Sequence, residues 1–82
     1  MTTVQPREAL TRSEAAQLLV ILFQYLETNI AAFPSLLSAV EPTQEAAALF
    51  GRNDTAGAAA RGLRVYEFVR IARASNPAMP VP

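Results

Sequence analysis

The stretch TRSEAAQLLVILFQYLETNIAA, residues 11–32, decides the fold class. It opens with Thr11-Arg12-Ser13-Glu14, a Thr-x-x-Glu capping box. In that motif the threonine hydroxyl accepts from the glutamate N–H, and the glutamate carboxylate accepts from the threonine N–H. Behind the box, Leu18, Leu22 and Leu26 fall on one side of a helix, with Leu19, Phe23 and Ile30 adjoining. Ser13, Gln17, Gln24 and Thr28 gather on the other side. Leucine outnumbers β-branched residues and no turn signal flanks the apolar run, so the pattern is a helix and not a strand. Pro34 ends it, because the ring disfavours the helical conformation at Phe33. This reading puts Phe23 in the core, where an aspartate would unfold the chain.

Downstream the chain is segmented. Residues 35–40 predict one or two helical turns, ended by Glu41-Pro42. Thr43 is placed to cap a second short helix over residues 44–50, with Gly51 as its C-terminal punctuation. Arg52-Asn53-Asp54-Thr55 reads as a turn that supplies caps, and a last long helix follows over residues 55–74. Gly57 and Gly62 weaken its first half by about 1 kcal/mol each relative to alanine. Ala58, Gly62 and Val65 put small side chains on one side of it, suited to close packing against Ala15 and Ala16. Residues 76–82 hold three prolines and predict an extended, polyproline-like tail, with Met79 and Val81 as its anchoring side chains. The expectation is therefore one all-α domain. It has an arm over residues 1–10, a helical core over 11–75 with two long and two short helices, and the Pro-rich tail.

Composition narrows the chemistry. The 82 residues include sixteen alanines but no lysine, histidine, cysteine or tryptophan. Thiolate, imidazole and Schiff-base chemistry are excluded with those residues. The carboxylates Glu14, Glu27, Glu41, Glu45, Asp54 and Glu67 form no compact acid–base or ligand motif, and no glycine-rich phosphate loop exists. No enzymatic activity, cofactor or metal is expected. The longest strictly apolar run is residues 18–23, far short of the roughly 20 residues that cross a bilayer. The expected setting is the cytoplasm or the inside of a larger particle. Arginine and alanine without lysine fit a GC-rich coding bias, hence a bacterial or phage source.

Net charge is zero, but it is a cancellation. Residues 1–50 carry Arg7 and Arg12 against five glutamates, net −3; residues 51–82 carry five arginines against Asp54 and Glu67, net +3. Arg61, Arg64, Arg70 and Arg73 spread around the last helix, and Glu67 is spaced to pair with Arg64 and Arg70. Residues 10–19, Leu-Thr-Arg-Ser-Glu-Ala-Ala-Gln-Leu-Leu, resemble the opening of excisionase-like helix-turn-helix domains. That resemblance implies DNA binding through a short turn and a second helix. Here Val20-Ile21-Leu22-Phe23 continues the first helix instead. A DNA-binding regulator using the four arginines of the last helix is therefore the second reading.

The first reading rests on excess apolar surface. A surface helix needs an apolar stripe only somewhat over 100° wide, and residues 11–32 are apolar over more than half the circumference. On the last helix, Val65, Val69 and Ala72 make one face while Leu63 and Ile71 lie near the opposite side, around Glu67. Helices that are apolar on two sides touch two things, and the second is either another chain or the segmented middle of this one folded over that face. The expected partner is another protein or a second copy, and the sequence nominates Leu22, Tyr25, Leu26, Leu63, Phe68, Ile71, Arg64, Arg70, Arg73 and Met79 as contact residues.

Overall fold

The computed structural model of the chain describes residues 9–82; most of the arm expected over residues 1–10 lies outside them. Three α-helices follow one another: α1 (Arg12–Asn29), α2 (Val40–Gly51) and α3 (Thr55–Ser75), with a 3-10 segment at Pro34–Ala39 leading directly into α2. Among the described residues there is no strand. The fold is helical, as the periodicity predicts.

The capping box forms. Glu14 N–H donates to Thr11 Oγ1 at 3.1 Å, and Thr11 N–H donates to Glu14 Oε1 at 2.9 Å. Helix α1 ends at Asn29, three residues before the predicted limit. Asn29 donates its side-chain amide to the Tyr25 carbonyl at 2.9 Å, and residues 30–32 form a turn into Phe33 and Pro34.

The middle of the chain departs from the sequence reading. Glu41-Pro42 does not end a helix; both residues lie in the first turn of α2. Proline is tolerated there because first-turn N–H groups have no intrahelical acceptor. Thr43 is accordingly no cap. It is fully buried, and its hydroxyl donates back to the Ala39 carbonyl at 2.7 Å across the junction of the 3-10 segment and α2. The two short helices thus join into one bent helical run, residues 34–51.

Gly51 is the last residue of α2, and the left-handed residue that ends the helix is Asn53, with φ 65°. Asp54 N–H donates to the Leu49 carbonyl at 3.0 Å and Asn53 N–H to the Phe50 carbonyl at 3.0 Å. This is a Schellman motif, with asparagine in the place glycine usually takes. Asp54 then caps α3, accepting from Gly57 N–H at 2.9 Å. A Cβ on Gly57 would stand 2.4 Å from Asp54 Oδ2, so this glycine makes room for the cap.

Helix α3 lies against both other helices, and the three contact one another pairwise. Gly62 sets its approach to α1: a Cβ there would meet Leu18 Cδ2 at 2.9 Å. The small-residue side of α3 is thus packed inside the monomer, against Leu18 and Leu19. Arg12 ties the start of α1 to the α2–α3 corner. Its guanidinium lies 3.8 Å from the Phe50 ring centroid and donates to Thr55 Oγ1 at 3.1 Å and the Phe50 carbonyl at 3.3 Å.

The core is built on Leu22, Leu36, Val69 and Met79, with Leu18, Tyr25, Leu26, Ala39 and Val65 around them. Met79 comes from the tail, which is not simply extended. After α3 the chain turns through residues 76–79, where Met79 N–H donates to the Asn76 carbonyl at 3.0 Å. The turn drops the Met79 side chain into the core, leaving it 1% exposed. Phe23 does not belong to this core. It is 40% exposed at the edge of a shallow groove with Ile30, Val40 and Gln44.

The Leu22 and Phe23 side chains, adjacent in sequence, therefore differ in what they hold together. Leu22→Ala should cost about 2–5 kcal/mol, the usual range for truncating a core leucine. Phe23→Asp should cost less than half as much and leave a cooperatively folded chain. Urea unfolding of both variants checks this, and a larger loss for Phe23→Asp would contradict the assigned core.

Candidate functional site

The thinnest dimension of the molecule is 16 Å. Two packed helices, with axes about 8–10 Å apart and Cα cylinders of radius about 2.3 Å, account for about 13–15 Å. Along this thin direction no helix is covered on both sides, and the outward faces of α1 and α3 keep the apolar residues that the sequence shows in excess. On α3, Leu63 is 46% exposed and Ile71 61%, either side of exposed Glu67. On α1 the corresponding residues are Val20 and Ile21.

The face of α3 continues into a groove. Phe68, 38% exposed, Val65 and the stem of Arg64 form one wall; Ala39, Ser38 and Pro42 form the other. The space between them is about 510 Å³. Arg61 stands at one end, ion-paired with Glu45. Among the described residues Arg64 has no such partner. Among the described residues neither Arg64 nor Arg70 makes the ion pair with Glu67 that their spacing allows. The floor is apolar, and the rim holds a guanidinium able to bind a carboxylate through two parallel hydrogen bonds.

The ten nominated contact residues divide cleanly. Leu22, Tyr25, Leu26 and Met79 are buried in the chain's own core and offer no free surface. Leu63, Phe68 and Ile71 are exposed, and Arg64 borders the groove beside Phe68. Arg70 and Arg73 lie on the other flank of α3, where they border the tail with Tyr66. The sequence reading missed Pro42 and Ala39 as groove residues, and also Leu37, which is exposed on the 3-10 segment. Their position depends on the bent run 34–51, which no local pattern announces.

The tail is held by two contacts of different kinds. Met79 is buried, and Tyr25 O–H donates to the Pro80 carbonyl at 2.7 Å. Burial pushes the Tyr25 hydroxyl above its usual value of 10.0, and the nearby Arg73 charge partly offsets this. The folded state therefore holds the phenol proton more tightly than the unfolded chain does. Its contribution to stability is fully present below the unfolded value and is lost as pH rises through the folded one.

Among the described residues no helix is long and apolar enough to cross a membrane, and no group of three or more His, Cys, Asp or Glu is placed to hold a metal ion. No family model, curated protein or solved structure matches this chain.

Ionising Tyr25 removes the donor to Pro80, so the tail should loosen with the phenol's titration above pH 10.0. The Met79 methyl resonance, followed beside phenolate absorbance, should move with it. A Met79 signal that stays fixed through that ionisation would contradict the coupling.

Proposed function

We propose that this chain is a non-enzymatic interaction subunit that takes up a helix of another protein on the outer face and groove of α3. The observation that carries the reading is the run of exposed Leu63, Phe68 and Ile71 beside a groove rimmed by Arg64, which makes no ion pair among the described residues. Exposed apolar residues that adjoin one another, rimmed by polar groups, are a common mark of a protein-binding surface. The fitting partner presents an apolar stripe with a carboxylate beside it, set to meet Phe68 and Arg64. On this reading two long helices, two short helical pieces and a docked tail act as one bundle, a rigid scaffold for that face. An assembly, adaptor or inhibitor protein of a GC-rich bacterium or its phage is the matching role, exercised in the cytoplasm or within a larger particle.

The reading as a small DNA-binding regulator draws less support. Of its four arginines, Arg61 is occupied by Glu45, Arg64 borders the groove, and Arg70 and Arg73 lie on the opposite flank. Phosphates along a duplex call for a continuous basic stripe and reward net positive charge. The chain's net charge is zero.

Affinity capture from native extract separates the possibilities, with variants chosen for surface position. A partner retained by the wild type and by Val20→Ser, but weakened about tenfold or more by Phe68→Ser, is the expected result for a contact near the centre of the interface. Arg64→Glu should weaken it as well, and thermal melts should show all three variants folded. Equal capture by every variant would overturn the reading. Concentration-dependent sedimentation lost in Phe68→Ser would make the occupant a second copy, and salt-sensitive DNA retardation lost with the arginines would favour the regulator.

A further inference from the structure

The outer face of α3 has a symmetry that its charges make informative. Residues 60–74, Ala-Arg-Gly-Leu-Arg-Val-Tyr-Glu-Phe-Val-Arg-Ile-Ala-Arg-Ala, read nearly the same in both directions about Glu67. Arg64 mirrors Arg70, Leu63 mirrors Ile71, and Ala60 mirrors Ala74. At 3.6 residues per turn these six lie within about 60° of Glu67 on one side of the helix, and all seven residues are exposed. The buried mirror pair, Val65 and Val69, lies on the opposite side, in the core.

Outward, α3 therefore shows two apolar ends around a charged centre of order plus, minus, plus. Among the described residues Arg64, Glu67 and Arg70 make no ion pair, so none of these charges is spent inside the chain. The order decides what can lie on the face. Whichever way it runs, a second copy brings Glu67 level with its own counterpart and arginines level with arginines. The joined surface would hold four guanidinium groups against two carboxylates. Like charges set against one another across an interface disfavour the pairing. Sliding by three residues puts Glu67 level with an arginine, but takes the apolar ends out of level with one another.

Resting on the reading of this face as a protein-binding surface, we infer that its occupant is a helix of another protein with the inverse charge order. That helix carries carboxylate, cation and carboxylate at three-residue spacing, between two apolar side chains placed eight residues apart like Leu63 and Ile71. Its carboxylates come level with Arg64 and Arg70, its cation with Glu67, and its apolar ends with Leu63 and Ile71. The charges then cancel across the interface. Because α3 reads alike in both directions, such a helix meets it running either way. Exposed charge pairs add selectivity and speed of encounter more than affinity, so the order shows as a preference between ligands.

The probes are two alanine-based peptides of about 20 residues, long enough to be helical in water. Both carry leucines at the Leu63–Ile71 spacing; one has Glu, Lys, Glu between them and the other Lys, Glu, Lys. Charges on the far side make each peptide neutral overall. The Leu63 and Ile71 methyl resonances report binding. The Glu-Lys-Glu peptide should bind about tenfold or more tighter at low salt, and the difference should shrink as salt screens it. The triple variant Arg64→Glu, Glu67→Lys, Arg70→Glu, altered only at exposed positions, should reverse the preference. If that variant melts early, the wild-type comparison alone tests the order. Equal affinity for the two peptides would overturn the charge order and leave the apolar face standing. No shift with either peptide would overturn it as well, and capture from extract through Phe68 then decides separately whether the wider reading survives. Dimerisation of the free chain that Ile71→Ser abolishes would also overturn the inference, since the face would be accepting its own order.

Discussion

In a body 16 Å thick, no helix can be covered on both sides along the thin direction. Most of what distinguishes this protein follows from that constraint. Each helix has one face to spend on the core, and a single seam of Leu22, Leu36, Val69 and Met79 uses it. Among its described residues the chain adds no second layer. It supplies a last side chain from its tail instead, folding Met79 in among residues of α1, the 3-10 segment and α3. What remains apolar is turned outward, on α1 and α3 alike.

The long helices were legible because their signals are local. A capping box needs only Thr11 and Glu14, and leucine spacing from Leu18 to Leu26 needs only the helix itself. The exposed pair Leu63 and Ile71 was legible for the same reason: on any helix they lie away from Val65 and Val69. The segmented middle was not. Proline at position 42 reads as a breaker unless the helix is known to start at Val40, and that start depends on Leu36 and Ala39 packing against α3. Glycine at position 51 reads as a terminator, yet Asn53 takes the left-handed conformation two residues later.

The site was legible in half. Helical periodicity marks a residue's side, but not whether the chain's own tail will cover it. Tyr25, Leu26 and Leu22 looked available for a partner because nothing local shows that Met79 returns to them. Phe23 looked buried because it adjoins the leucine stripe, yet it lies at the edge of a groove with Val40 and Gln44 of α2 and stays 40% exposed. The arginines divide along the same line. Arg12 and Arg61 hold the fold's own corners, whereas Arg64, Arg70 and Arg73 make no ion pair among the described residues.

The central claim is that the outer face of α3 is kept apolar for another protein. Methyl NMR of the labelled chain with a soluble paramagnetic agent, taken alone and in native extract, tests it most directly. Alone, Leu63 and Ile71 methyls should relax strongly and the Leu22 methyls should not, since the latter are fully buried. In extract, Leu63 and Ile71 should become shielded while Val20, on the outer face of α1, stays accessible. Leu63 and Ile71 equally accessible in both conditions, or shielding confined to Val20, would contradict the claim.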